Sequence, residues 1–284
     1  MAIVLAAAAC VSWGVAVFLG GTTARRLGTF SALLFAQPLA VAVFAALVVG
    51  WRGGPPGQPR LLFAVAAGVV GLVGLACFYR AMAVGKISIV APIAASTAVL
   101  PVVVGLALGE RPSIPQLVGM VLVLVGIALV SVERSSAGGR LRLLAGVGLA
   151  VLAALSFGAF FLLVKVASAA DPYWTTLLQR ATLTVVLFAI AFLYLVQHRA
   201  IASPAGNRRL ILTLVAIGLL GVGGDLFFAI ATTRGLLSLV SVIGAMYPAV
   251  AVGLAAILLK ERISRYQTVG VASALLGIAL LSAV

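Results

Sequence analysis

The sequence predicts an all-α polytopic membrane protein of ten transmembrane helices arranged as two inverted five-helix repeats. Three observations predict it. Of 284 residues, 64% are hydrophobic and only 8% are charged, with five Asp and Glu residues in all. A soluble domain needs far more charge on its surface. Apolar runs near twenty residues long, the length that crosses a bilayer core about 30 Å thick, occupy almost the whole chain. The second half then repeats the first, landmark by landmark.

The runs are 2–21, 30–49, 61–83, 87–108, 114–132, 143–167, 172–196, 210–232, 236–259 and 266–283. The opening run has no basic leader and no small-residue cleavage site before a polar start, so it is expected to be a first helix and not a signal peptide. Polar breaks carry turn residues, as in Trp51–Arg60 and 198–209. Asp171-Pro172 fits an N-cap followed by proline at the first helical position. Ser113-Ile-Pro-Gln116 and Ser264-Arg-Tyr-Gln267 both fit the S-x-x-Q capping box and open the fifth and tenth helices.

The repetition is specific. A shift of 144 residues aligns Ser12 with Ser156, Gly14 with Gly158 and Phe44 with Phe188. A shift of 150 aligns Gly68, Gly71 and Gly74 with Gly218, Gly221 and Gly224, and Phe78 with Phe228. A shift of 151 aligns Glu110-Arg111 with Glu261-Arg262, Gly119 with Gly270 and Gly126 with Gly277. Five helices per copy is an odd number, so the second copy enters the membrane from the opposite side, the inverted arrangement of many secondary transporters. The expected units are 1–132 and 143–284, joined by a linker at 133–142.

The formal charge of +14 is not the footprint of a nucleic-acid binder, because the cations are scattered singly and in small groups between apolar runs and not clustered on one face. They report orientation instead. Thirteen of the nineteen, among them Arg25, Arg26, Arg134, Arg140, Arg208 and Arg209, fall in or beside loops after odd-numbered helices. The positive-inside rule puts those loops in the cytoplasm and both termini outside.

Ser12-Trp13-Gly14 in the first helix, the stretch Gly85, Ser88, Val90, Gly109, Glu110, Arg111 and Ser113, and its second copy at Gly235, Ser238, Val240, Lys260, Glu261, Arg262 and Ser264 together resemble the EamA-like branch of the drug/metabolite transporter superfamily. The resemblance covers both copies. It implies a ten-helix basket around a central cavity that moves small metabolites across a bacterial inner membrane by alternating access. Within the branch the chain looks most like the amino-acid exporters. The second copy departs from the pattern at Phe157, where the first has Trp13, and at Lys260, where the first has Gly109.

Among the acids, Asp225 alone lies well inside an apolar run, where a charge costs about 3 kcal/mol on insertion scales. Its repeat counterpart is Leu75, so the duplication did not require it. Arg180 is the only basic residue deep in a helix. At about 1.5 Å per residue, both fall about 10–12 Å below the same surface. Two readings stay open: a structural ion pair, or a pair that holds the two charges of a zwitterion, with Asp225 as carrier of a coupling proton. The remaining candidates for substrate contact are Trp13, Phe78, Tyr79, Ser96, Phe157, Phe161, Phe228, Met246 and Tyr247, residues expected near the middle of their helices. Pro92, Pro101 and Pro248 interrupt the fourth and ninth helices and are the expected hinges, since broken helices in corresponding parts of two halves point to a midplane site.

Motifs for other chemistry are missing. The sequence has no GxxxxGK[ST], HExxH, CxxC or GxSxG, and Cys10 and Cys77 sit apart in apolar runs. No cofactor, metal or catalytic residue is expected. A membrane enzyme would need paired acids or a nucleophile beside a base, and the chain offers one isolated acid. The expected partners are a small-molecule substrate and the lipid bilayer, with no nucleic acid, and the chain is expected to work as a monomer. An exporter of drugs or other hydrophobic metabolites is the alternative to amino-acid export.

Overall fold

The computed structural model describes residues 1–84, 96–130, 140–197, 201–258 and 265–282. These residues are helical almost throughout: α1 (Ala2–Leu27), α2 (Thr29–Arg52), α3 (Leu62–Val84), α4 (Val99–Ala107), α5 (Ile114–Val130), α6 (Arg140–Ser168), α7 (Pro172–Val196), α8 (Arg208–Arg234), α9 (Leu237–Gly244), α10 (Tyr247–Leu258) and α11 (Arg265–Ser282). Among the described residues, seven helical segments are long and apolar enough to cross a membrane. Ser96–Ala107, Ile114–Leu129 and Arg265–Leu281 are shorter apolar helices. Large apolar side chains such as Val185 (66% exposed) and Phe192 (66%) cover the outside, as expected of a surface solvated by lipid.

Three boundaries differ from the expected ones for identifiable reasons. The first helix continues six residues beyond residue 21, because Thr22 folds its hydroxyl back onto the Leu19 carbonyl at 2.8 Å and Arg25 and Arg26 fill its last turn, where cations favour the helix dipole. The loop shrinks to Gly28, whose φ of 78° lets its N–H close on Ala24 O at 2.8 Å before α2 begins at once. The ninth run is not one helix. It is α9 and α10, parted at Ala245 and Met246. In the fourth run a 3-10 turn at Ser96–Ala98 precedes α4. Pro248 follows the interruption of the ninth run by two residues. It sits in the first turn of α10, where a missing N–H costs nothing, and Pro101 is the third residue of α4. Pro92, Lys86, Ser88, Glu133, His198, Glu261 and most of the 133–142 stretch lie outside the described residues.

Packing follows the repeat. α1 lies along α8 and α3 along α6, while α5 pairs with α11. The closest approaches occur at repeat-matched glycines, whose bare backbones let helices meet without side chains between them. A β-carbon on Gly68 would strike the Gln179 carbonyl of α7, and one on Gly218 would strike the Ala36 carbonyl of α2. One on Gly14 would lie 2.9 Å from Tyr247 O, and one on Gly158 2.9 Å from Thr97 O. A β-carbon on Gly119 would lie 2.8 Å from Gly277 O, and one on Gly126 would lie 2.6 Å from Gly270 O. Residue numbers rise along α5 as they fall along α11, so these two helices run antiparallel.

The cap signals are partly realised. Asp171 accepts from Tyr173 N (2.8 Å) and Trp174 N (2.9 Å), capping α7 with Pro172 at its first position. Ser113 N donates to Gln116 Oε1 at 2.9 Å, one half of the capping box; the Ser113 hydroxyl makes no return bond.

Candidate functional site

Local structure sets where Arg180 points. The Asp171 cap fixes the start of α7 two turns earlier, and Val185 and Phe192 define its lipid face. Arg180 stands about 140° around the helix from Val185, which directs it into the bundle. Its guanidinium crosses to α8 and lies over Gly221, where a β-carbon would come within 3.0 Å of both Nη atoms. The glycine row of α8 thus provides the room for a charged side chain at depth.

Five side chains from four helices converge there. Arg180 Nε donates to Asp225 Oδ2 at 2.5 Å. Gln179 Nε2 donates to the same oxygen at 2.7 Å, and Trp13 Nε1 of α1 donates to Oδ1 at 2.8 Å. Arg180 Nη1 in turn reaches Gln37 Oε1 of α2 at 3.2 Å. Asp225 is 5% exposed, Gln179 1% and Gln37 4%, so the carboxylate is held by charge and hydrogen bonds in place of water, as a charge at this depth requires. The two repeats share the cluster: Trp13 and Gln37 come from the first, Gln179, Arg180 and Asp225 from the second.

An aromatic layer adjoins it. The Trp13 ring stacks on Phe161 of α6, 5.9 Å between centroids and 10° between planes, and meets Phe228 of α8 at 5.4 Å. Phe161 and Phe228 are 4.4 Å apart. Met246 is buried at the break between α9 and α10, and Tyr247 packs against the same core. Gly244, last in α9, abuts both Phe228 and Trp13. The structure therefore brings together Trp13, Phe161, Arg180, Asp225, Phe228, Met246 and Tyr247.

Phe157 packs on Gly74, in the position that Trp13 takes on Gly224 in the other half. Phe78 lies in the C-terminal half of α3, and the Tyr79 side chain is outside the described residues. Ser96 lines a groove of about 230 Å³ with Leu100, Val103, Val151, Ala154 and Leu155. With Val103 at 57% and Leu155 at 51% exposure, that groove opens on the outer surface of the bundle. Among the described residues, no three metal-ligating side chains converge.

Gln37 and Gln179 were not among the residues expected from sequence. The available signal was their rarity, since both are amides inside long apolar helices. Glu110, part of the motif shared by the two copies, reaches its carboxylate across to the second half and accepts from Leu237 N at 2.6 Å and Ser238 N at 3.0 Å, capping α9. Within the second half, Lys165 donates to the Thr232 carbonyl near the end of α8. Arg234 and Gly235 there meet Met1 and Ala2 of α1, so one end of the bundle is fastened by contacts between the halves. Glu110→Ala is expected to cost about 0.5–2 kcal/mol, the range for a lost N-cap, read as a lower unfolding temperature in detergent. Replacing exposed Arg111 by Ala should leave it unchanged.

Comparison with known proteins gives the family. A search of characterised proteins by sequence finds no match. Among solved structures, one described only as a protein crystal structure superimposes over 99% of this chain and 96% of its own, with a TM-score of 0.78 at 17% identity; at that identity the likeness concerns the fold alone. The sequence profile of the EamA-like transporter family matches residues 1–132 and 144–283, nearly the whole chain in two consecutive copies. The chain is a multi-pass membrane protein and belongs to the EamA-like transporter family.

Proposed function

We propose that this protein is a secondary exporter of small metabolites, with amino acids as its substrate class. Its ten membrane crossings form two five-helix repeats of opposite orientation, and alternating access is a rocking of one against the other. The antiparallel run of the repeat-matched helices α5 and α11, glycine against glycine, supports the inversion. The break at Ala245–Met246 between α9 and α10 supports a binding site between the halves. The loop cations favour cytoplasmic odd-numbered loops and both termini outside a bacterial inner membrane.

The observation that carries the substrate class is the Arg180–Asp225 pair of the second repeat, held by Trp13 and Gln37 of the first and set beside an aromatic wall. Such a charged pair is costly in the membrane, and the counterpart of Asp225 in the first repeat, Leu75, is apolar. Symmetry of the fold therefore does not demand it. The test is uptake of labelled amino acids by proteoliposomes, with and without a pH gradient. Accumulation of one or more amino acids is expected, and stimulation by the gradient would identify proton coupling. Movement of none would remove the class. The aromatic stack of Trp13, Phe161 and Phe228 favours a second reading, export of hydrophobic compounds. On that reading, Arg180→Leu with Asp225→Leu would preserve transport.

A further inference from the structure

We infer that Arg180 is the specificity-determining residue and that it reads a carboxylate, while Asp225, Trp13, Gln179 and Gln37 position its guanidinium. This rests on the transport reading above and divides the roles within the pair. A carboxylate beside an arginine ordinarily takes a side-on fork, with one oxygen on Nε and the other on the neighbouring Nη. Here only Oδ2 meets Arg180, through Nε. Oδ1 is taken by the Trp13 indole at 2.8 Å, and Gln179 Nε2 holds Oδ2 from the side at 2.7 Å. The fork is therefore half used.

The distribution of donors and acceptors then decides which charge can meet a ligand. Three donors already converge on Asp225, one of them cationic. The guanidinium has five N–H groups. Nε is spent on Asp225 and one Nη1 hydrogen on Gln37 Oε1. Among the described residues no protein acceptor takes Nη2. The Arg180 side chain keeps 13% of its surface accessible against 6% for Asp225, and its position opposite the lipid face places that surface inside the bundle. Gly221 leaves the flat face of the guanidinium uncrowded by any side chain of its own. The unmet capacity is thus for an anion with two oxygens, beside an aromatic wall. A small carboxylate with an apolar body fits it. Cations lacking a carboxylate do not.

The experiment uses the purified full-length protein in detergent, because any ligand that binds only the folded state raises the unfolding temperature. Four probes share one ring: L-phenylalanine, 3-phenylpropionate, 2-phenylethylamine and L-phenylalaninamide. The two carboxylates are expected to stabilise the protein and the two amines are not. Arg180→Lys should weaken carboxylate binding by roughly tenfold or more, the equivalent of one lost charge-assisted hydrogen bond. Arg180→Gln with Asp225→Asn keeps the hydrogen-bonding shape without leaving a buried unpaired charge, and should abolish the carboxylate shift. Stabilisation by the amines equal to that by the carboxylates would overturn the inference, as would an unchanged shift in the neutral double variant. Absence of any shift with either carboxylate in the wild-type protein would overturn it too. Failure of the amino-acid export reading is separate: there, 3-phenylpropionate stabilises while proteoliposomes move no amino acid.

Discussion

Asp225→Leu alone is expected to be the most damaging single substitution in the bundle, and Arg180→Leu on the same background is expected to repair the fold. With Asp225 removed, the guanidinium stays deep among α2, α7 and α8 with Gln37 as its remaining partner. Breaking a buried pair from one side costs about 3–5 kcal/mol, because an uncompensated charge is left behind. Removing both charges relieves that cost, since apolar replacements of buried pairs are often neutral. Unfolding temperature in detergent should therefore fall steeply for the single variant and return close to wild type for the double. A single variant as stable as the wild type would mean that the pair contributes nothing to folding. The restored double variant also separates the two functions considered above, because it folds without the charges that would read an amino acid.

Gly218→Ala carries the next largest expected loss. Its added methyl would strike the Ala36 carbonyl and press on Ala40 Cβ at 2.9 Å. One is a backbone atom and the other a β-carbon, neither of which can swing away, so the helices must separate. Overpacking of this kind costs about 1–3 kcal/mol and at times more. Gly20→Ala and Gly21→Ala serve as controls, since nothing lies within 4 Å of a β-carbon at either position; a helical glycine exchanged for alanine there should be neutral or slightly stabilising. Equal stability of the Gly218→Ala protein would show that α2 and α8 do not meet as closely as described. The loss should extend beyond stability, because separating α2 from α8 also draws Gln37 away from Arg180.

The helices were legible in the sequence wherever a long apolar run met a chemical stop. Pro172–Val196 begins and ends where the Asp171-Pro172 signal and the apolar run place it. The pairing of Arg180 with Asp225 was legible from depth alone, since two opposite charges at one level of an apolar bundle have few other partners. Other parts were not legible. Thr22, Arg25 and Arg26 look like a loop, yet they continue α1, because short polar side chains can bond back to the helix and cations suit its last turn. Pro248 announces an interruption of the ninth run, but nothing local places it at Ala245–Met246, ahead of the proline. Glu110 carries a family motif, but nothing local says that its carboxylate ends on the α9 amides 127 positions away.

The sequence by itself determined the solvent, the helix content and the duplication, because these depend on composition and on order along the chain. It also supplied the matched glycines, which mark where backbones approach. Only the tertiary structure decided what each glycine faces: a carbonyl at Gly68 and Gly218, a guanidinium at Gly221, an indole at Gly224. It alone decided that an indole from α1 and an amide from α7 occupy the oxygens of Asp225 that would otherwise complete a fork with Arg180. Hydrogen-bond allocation depends on distances between helices far apart in the chain, and side-chain periodicity carries no information about those distances.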